Sequence, residues 1–441
     1  MSTRRYAAVA MFTWMLVGPS SFAADPPELV YRATYFTGLA GDNAEVISIR
    51  HSDGIAAISN TAGSVDLLDL SNPLNPSLRI RVPIDSTTGT PNSVAVHPQH
   101  DYFLVVTGEA GLVGTVFAHR LSDGALLASA AVGIQPDAVA ISPNGQYAVI
   151  VNEAEGTGLG GNGGPGSLSI VDLTGFNGVV ERDLVVTNAA LAPLAGVVGV
   201  SSGRTDDIAQ LPIDNSPGTL EPENVAFSLD SRHAFVTLQE NNAVIRLDVR
   251  TLEMEVVGAG QVTHAADLTN GGGYSPVETL TAFREPDGIA VDQTGRFFVT
   301  ADEGDTRNAR GSGGPRGGRT VSVFDARTGA FIADTGSQLD DTAAAAGIYP
   351  DNRSNRGGAE PEAVDLTQHR GITLAAVALE RANAVALVDL SDPTNPTVID
   401  IAPLASQIGP EGVKFFRLDS RLFVATGNEV SGSVSILEVV F

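Results

Sequence analysis

The stretch Pro136-Asp137-Ala138-Val139-Ala140-Ile141-Ser142-Pro143-Asn144-Gly145, followed by Tyr147-Ala148-Val149-Ile150-Val151, decides the fold. It is an acid after a proline, an alternating apolar run, a tight polar turn and a second apolar run. The phrase returns at Pro222-Glu223-Asn224-Val225-Ala226-Phe227, Pro286-Asp287-Gly288-Ile289-Ala290-Val291, Pro361-Glu362-Ala363-Val364 and Pro410-Glu411-Gly412-Val413. Looser copies stand at Pro91-Asn92-Ser93-Val94 and Ala44-Glu45-Val46-Ile47, which makes seven. Self-similarity of this kind marks a repeat architecture, and short alternating runs between turn signals mark strands.

Each copy leads into a third run that ends near an aspartate: Ser64 to Leu70, Leu168 to Leu173, Ala243 to Val249, Thr320 to Asp325, Ala384 to Leu390 and Ser433 to Val439. Seven units of three or four strands predict an all-β chain folded as a single seven-bladed β-propeller. The chain stops at a third strand, while Glu28 to Phe36 is strand-like and precedes the first copy. That N-terminal strand is expected to close the last blade. No segment carries a long helical periodicity, so residues 24–441 are expected to form the propeller without a second domain.

Composition narrows the chemistry. The 441 residues hold 51 Asp and Glu against 26 Lys and Arg, a formal charge of −25. Such a field repels nucleic acid and anionic membrane surfaces and attracts multivalent cations. There is no cysteine, which excludes thiol catalysis, thiolate metal sites and disulfides. Lys414 is the sole lysine and reads as a rim charge. Residues 1–23 read as an export signal: Arg4 and Arg5, an apolar stretch from Tyr6 to Val17, then Ser21-Phe22-Ala23 before the cleavage point. Thr3-Arg4-Arg5 also admits a twin-arginine route. No run reaches the length of a membrane span. The mature protein is therefore expected in the periplasm or secreted, soluble and monomeric.

In a propeller blade the residue opening the first strand and the residue ending the second meet at one mouth of the channel. The openers are Glu45, Asn92, Asp137, Glu223, Asp287, Glu362 and Glu411. The second-strand ends are Asn60, Glu109, Glu153, Glu240, Glu303, Glu380 and Glu429, each 15 to 18 residues after its opener. Twelve of these fourteen positions are acids, so like charges crowd one axis unless cations, raised pKa values or arginines compensate. Hard oxygen donors favour calcium, whose flexible coordination suits a ring. The metal ligands expected are Glu223, Asp287, Glu362 and Glu411 with Glu240, Glu303, Glu380 and Glu429. The bland alternative makes the openers polar caps for backbone amides.

Loop lengths mark the same face. Tight turns at His51 to Gly54, Ser142 to Gly145, Ser228 to Ser231, Asp292 to Gly295 and Thr367 to Gly371 fall on the opposite face. The long connections 154–166, 200–221, 265–285, 304–319 and 335–360 all fall on the carboxylate face. There Asp305, Arg307, Arg353 and Arg381 join the acids of the fifth and sixth blades. Acids for a metal with arginine forks for a phosphate or carboxylate would suit a metal-dependent hydrolase. An arginine–carboxylate network joining two blades is the alternative.

Leu220-Glu221-Pro222-Glu223, Leu238-Gln239-Glu240-Asn241-Asn242-Ala243, Asp302-Glu303-Gly304-Asp305-Thr306-Arg307, Asp351-Asn352-Arg353-Ser354 and Asn428-Glu429-Val430-Ser431-Gly432 resemble the choice-of-anchor I family. The likeness runs from about Tyr31 to the C-terminus. Val388-Asp389-Leu390-Ser391-Asp392-Pro393 also resembles a repeat of the surface propellers named for Leu-Val-Ile-Val-Asp, which points to a propeller of the YVTN/WD40-like kind. The resemblance implies an exported bacterial propeller, of a family often labelled alkaline-phosphatase-like or phytase-like. The chain ends at Phe441 with no sorting tail or anchor, which leads us to expect a free protein. Two functions follow. One is a calcium-binding hydrolase of phosphate esters or lactones, with Arg307, Arg353, Arg381 and Asp305 at the reaction centre. The other is a non-catalytic calcium-stabilised scaffold that binds a protein or glycan partner.

Other signals carry less. Gly199-Val200-Ser201-Ser202-Gly203 has the spacing of a nucleophile elbow without the strand-turn-helix it needs. Gly160 to Gly166 lacks the Lys and Ser/Thr of a phosphate loop. The histidines are scattered and have no zinc-site spacing.

Overall fold

Second strands such as Ile55–Asn60 and Tyr102–Gly108 are buried along their whole length, whereas fourth strands such as Ser77–Pro83 are exposed or half-buried at all positions but one. A strand that is apolar on both faces must be covered on both, and stacked blades do this. The computed structural model describes residues 26–154, 166–178, 183–191, 220–304 and 317–441. It is a seven-bladed β-propeller, each blade a four-stranded antiparallel sheet. Blade 3, for example, runs Pro136–Ile141, Tyr147–Asn152, Ser167–Asp172 and Val185–Ala190 from the axis outward.

The apolar core is divided among the blade interfaces. Ile55 and Val65 of blade 1 pack on Phe103 and Val105 of blade 2. The pattern repeats round the ring to Phe416 and Phe423 of blade 7 against Ile47 and Ile58 of blade 1. Closure follows the sequence expectation: Glu28–Phe36 pairs antiparallel with Ser433–Val440, from Glu28 opposite Val440 to Phe36 opposite Ser433. The two ends of the described chain thus share one sheet, and Leu29 joins the core between blades 6 and 7.

Two long connections build up the carboxylate face. Between blades 4 and 5 stands a hairpin, Gln261–Ala266 with Glu278–Phe283. Between blades 5 and 6 lies Gln338–Ala345, the one α-helix among the described residues. Eight residues with Leu339, Asp340 and Ala343 buried are too few to leave a periodic signal, so this helix is not legible in the sequence. The connections hold one another: Tyr274 donates to Asp341 at 2.8 Å, and the Gly273 N–H donates to Asp351 at 3.0 Å. Beneath them Arg319 is fully buried, paired with Asp340 at 3.3 Å and donating to the Ser354 carbonyl at 2.7 Å.

Candidate metal centre

The Pro-acid phrase has a local structure that explains its recurrence. Gln135, Glu285 and Glu360, each just before the proline, have φ of 46°, 49° and 53°, and Gly409 takes the same place at 72°. The pairing of first and second strands then shifts register directly after Pro136, Pro286, Pro361 and Pro410. A bulge of this kind re-aims a side chain. Here it releases Asp137, Asp287, Glu362 and Glu411 from the ladder at the mouth. The second ring is tied to the first through the same residues. The N–H groups of Glu153, Glu380 and Glu429 donate to the carbonyls of Gln135, Glu360 and Gly409 at 2.9, 2.9 and 2.7 Å. Left-handed backbone at three non-glycine positions is strain held in place by this framework.

Among the described residues, three groups of acids bring one carboxylate oxygen each within 4.8 Å of one another. They are Asp137–Glu153–Glu223, Asp287–Glu303–Glu362 and Glu360–Glu362–Glu380. The first two share one rule: the opener of a blade, the second-strand end of that blade, and the opener of the next. Of the ligands expected from sequence, Glu223, Asp287, Glu303, Glu362 and Glu380 fall in these groups. Glu240, Glu411 and Glu429 lie outside all three. Asp137 and Glu153, named in the rings but not as ligands, join one.

The electrostatics are those of crowded acids. Burial first, and neighbouring carboxylates second, hold Glu45, Glu223, Glu362 and Glu411 well above the usual carboxylate range. Burial also raises Glu380 and Glu429, which hydrogen-bond to Glu362 and Glu411 respectively. The ring is incomplete where the sequence departs from acid. Asn60 accepts from the Ala44 N–H at 3.2 Å, and Asn92 donates to the Pro136 carbonyl at 2.9 Å. Asn60 thus caps a backbone amide and Asn92 a backbone carbonyl. Glu109 is exposed and stands apart.

The family model described as the choice-of-anchor I domain matches residues 45–313 and 315–393, well over half of the sequence. The chain belongs to the choice-of-anchor I family. No curated protein matches it. Among solved structures it is similar to Kuenenia stuttgartiensis hydrazine synthase, with a TM-score of 0.56 and 14% identity over 92% of this chain and 99% of that one. The β-propeller domain of Cps50 (Swd1) from Myceliophteria thermophila is similar at a TM-score of 0.55 and 9% identity, over 93% and 99%. At these identities the likeness is one of fold.

Within this choice-of-anchor I propeller Arg353 and Arg381 make arginine–carboxylate contacts, the second of the two arrangements expected from sequence. Arg353 and Arg381 do not reach into the channel as separate forks. Both converge on Glu360, Arg381 through Nε at 2.7 Å, and Arg381 also pairs with Glu380. Glu360 is the residue the sequence reading missed, and its one signal is its place before Pro361. Asp305 and Arg307 lie outside the described residues, as do the signal segment 1–23 and Gly199 to Gly203. No helix among the described residues is long and apolar enough to cross a membrane. Family membership suggests a cell-surface or exported protein.

Proposed function

We propose that this choice-of-anchor I propeller is an exported protein that binds divalent cations, calcium first, at the carboxylate mouth. The observation that carries the reading is the repeated triad of opener, second-strand end and next opener, built twice by the same backbone device. All donors are carboxylate oxygens, the ligands calcium prefers, and calcium takes about six to eight of them in loose geometry. A bound cation would also replace the protons that crowded, buried acids otherwise retain.

A second reading, hydrolysis of a phosphate ester or lactone, is favoured by Arg381. Its side chain is 42% exposed while its guanidinium touches Glu360 and Glu380, both members of one acidic group. An anionic group held by that guanidinium would lie beside the cation. Against it, Glu360 engages both described arginines, as a scaffold would require. Elemental analysis of the purified protein, with thermal melts in calcium and in chelator, tests the first reading. Stoichiometric calcium and a chelator-sensitive melt are expected; absence of both overturns it. Turnover of phosphate esters or lactones that disappears in Arg381→Ala, with the calcium response intact, would establish the second.

A further inference from the structure

Opposite the carboxylate mouth, the channel widens into a chamber of about 560 Å³. It runs from Glu411 and Asn224 at the acid end to His51, Pro98, Pro143 and Gln293 in the far-face turns. Its wall is the edge of the inner strands, including Ala95 and Ala140, while the side chains of Val94, Val225, Ile289 and Val413 pack into the cores between blades. The volume is that of a small-molecule site, and the lining is mixed, with Ser48, Ser93, Asn224 and Gln293 among its polar groups.

The cationic group in this lining is Lys414. Three residues after the openers, blades 1 to 5 carry Ser48, Ala95, Ala140, Ala226 and Ala290, while blades 6 and 7 carry Asp365 and Lys414. At roughly 3.3 Å per strand residue this level lies about 10 Å below the acid ring. Asp365 keeps the structural duty that Ser48 has elsewhere: Ser48 accepts from the Val96 N–H at 2.9 Å, and Asp365 from the Phe415 N–H at 2.8 Å. Its other oxygen stands 3.6 Å from Lys414 Nζ, beyond hydrogen-bond distance, and Lys414 remains 44% exposed. Among the described residues nothing accepts a hydrogen bond from the ammonium, which has three to give. His51 lines the same end of the chamber, where the charges of Asp365, Arg417 and Lys414 reach its ring.

We propose that this chamber binds a small carboxylate with an apolar body, its head on the Lys414 ammonium beside His51 and its tail along the inner-strand edge beside Ala95 and Ala140. The acid ring at the other end repels an anion and so fixes this orientation. A cavity of about 570 Å³ between blades 4 and 5 shares the lining residues Leu229 and Gln293 with the chamber. The inference does not depend on cation binding at the carboxylate mouth.

Calorimetric titration of the full protein with octanoate and, separately, 1-octanol tests it. Octanoate is expected to saturate one site at least about tenfold more tightly than the alcohol, as a charge-assisted bond supplies. Lys414→Met should bring octanoate down to the alcohol's affinity with the thermal melt unchanged. Asp365→Asn, which keeps an acceptor for Phe415 but removes the competing charge, should tighten octanoate several-fold. Equal affinity for acid and alcohol, no saturable octanoate binding, or an Asp365→Asn protein that binds octanoate no better would overturn the proposal.

Discussion

The two mouths of the channel are made by opposite ends of the same strands, and acids behave oppositely at them. At the far face, Asp325 and Asp392 sit in tight turns where a threonine hydroxyl and N–H groups hold each carboxyl below its ordinary range. At the carboxylate mouth, Glu223 and Glu362 have burial and other acids for neighbours and are pushed well up. An aspartate in a turn with donors to spare is a structural cap. The same chemistry becomes a candidate ligand where carboxylates outnumber donors. Charge count alone does not tell these apart; the supply of N–H and O–H groups does.

The largest test of this contrast concerns how the carboxylate face is held. Arg319 is wholly buried against Asp340, whose carboxyl is raised by burial and lowered back by that guanidinium. Arg319→Met leaves an uncompensated buried acid and should cost about 3–5 kcal/mol by denaturant unfolding. Adding Asp340→Asn should return part of it. A loss below about 1 kcal/mol would mean that these connections contribute little to the fold.

The far face should fail first in acid. His97 is buried, its Nε2–H donating to the Gly145 carbonyl at 3.1 Å. Its Nδ1 accepts from the Gln99 and His100 N–H groups at 3.1 and 2.8 Å. Protonating Nδ1 would set three N–H groups against one another. Burial, with help from His100 and Arg50 and against the Gly145 bond, lowers the ring to about 4 from 6.5. Tyr102, packed on it at 4.6 Å, carries no charge in this range. Because the folded value is depressed, the stabilisation is present above about pH 6.5 and is lost as pH falls toward 4. The amount is on the order of 3 kcal/mol. Melts of wild type and His97→Asn across that window should converge as pH falls; parallel curves would remove His97 from the account.

Why one mouth was more legible than the other follows from its residues. The Pro-acid phrase names its blade, and the interval to the second-strand end names the partner, so Asp287, Glu303 and Glu362 could be placed together from spacing alone. Glu360 could not, because the same position holds Gln135, Glu285 and Gly409 in other blades and its left-handed backbone leaves no mark in the sequence. Without Glu360, Arg353 and Arg381 look like forks aimed at a ligand, whereas they are bound to a common acid. The chamber was illegible for another reason. Its wall is the edge of the inner strands, which reads as ordinary strand, and Lys414 matters only beside the five small or neutral residues at its level.

The finest test separates the acids within the carboxylate mouth. Glu362 belongs to two triads and Glu153 to one, and the two triads that share Glu362 span blades 5 and 6. If these blades hold their cation through the shared residue, Glu362→Gln should weaken calcium more than Glu153→Gln, by about tenfold. Calcium at one hundred times its dissociation constant stabilises a folded protein by about 2.7 kcal/mol. The Glu362 variant should therefore lose about 1.4 kcal/mol of that at the same calcium concentration. Glutamine keeps the shape and an acceptor oxygen, so the difference reports charge rather than packing. Without calcium, Glu362→Gln should be at least as stable as wild type, because it removes one acid from a crowd whose charges raise one another. Equal calcium responses in the two variants would mean that the triads act independently, and the shared acid would then be one cap among several.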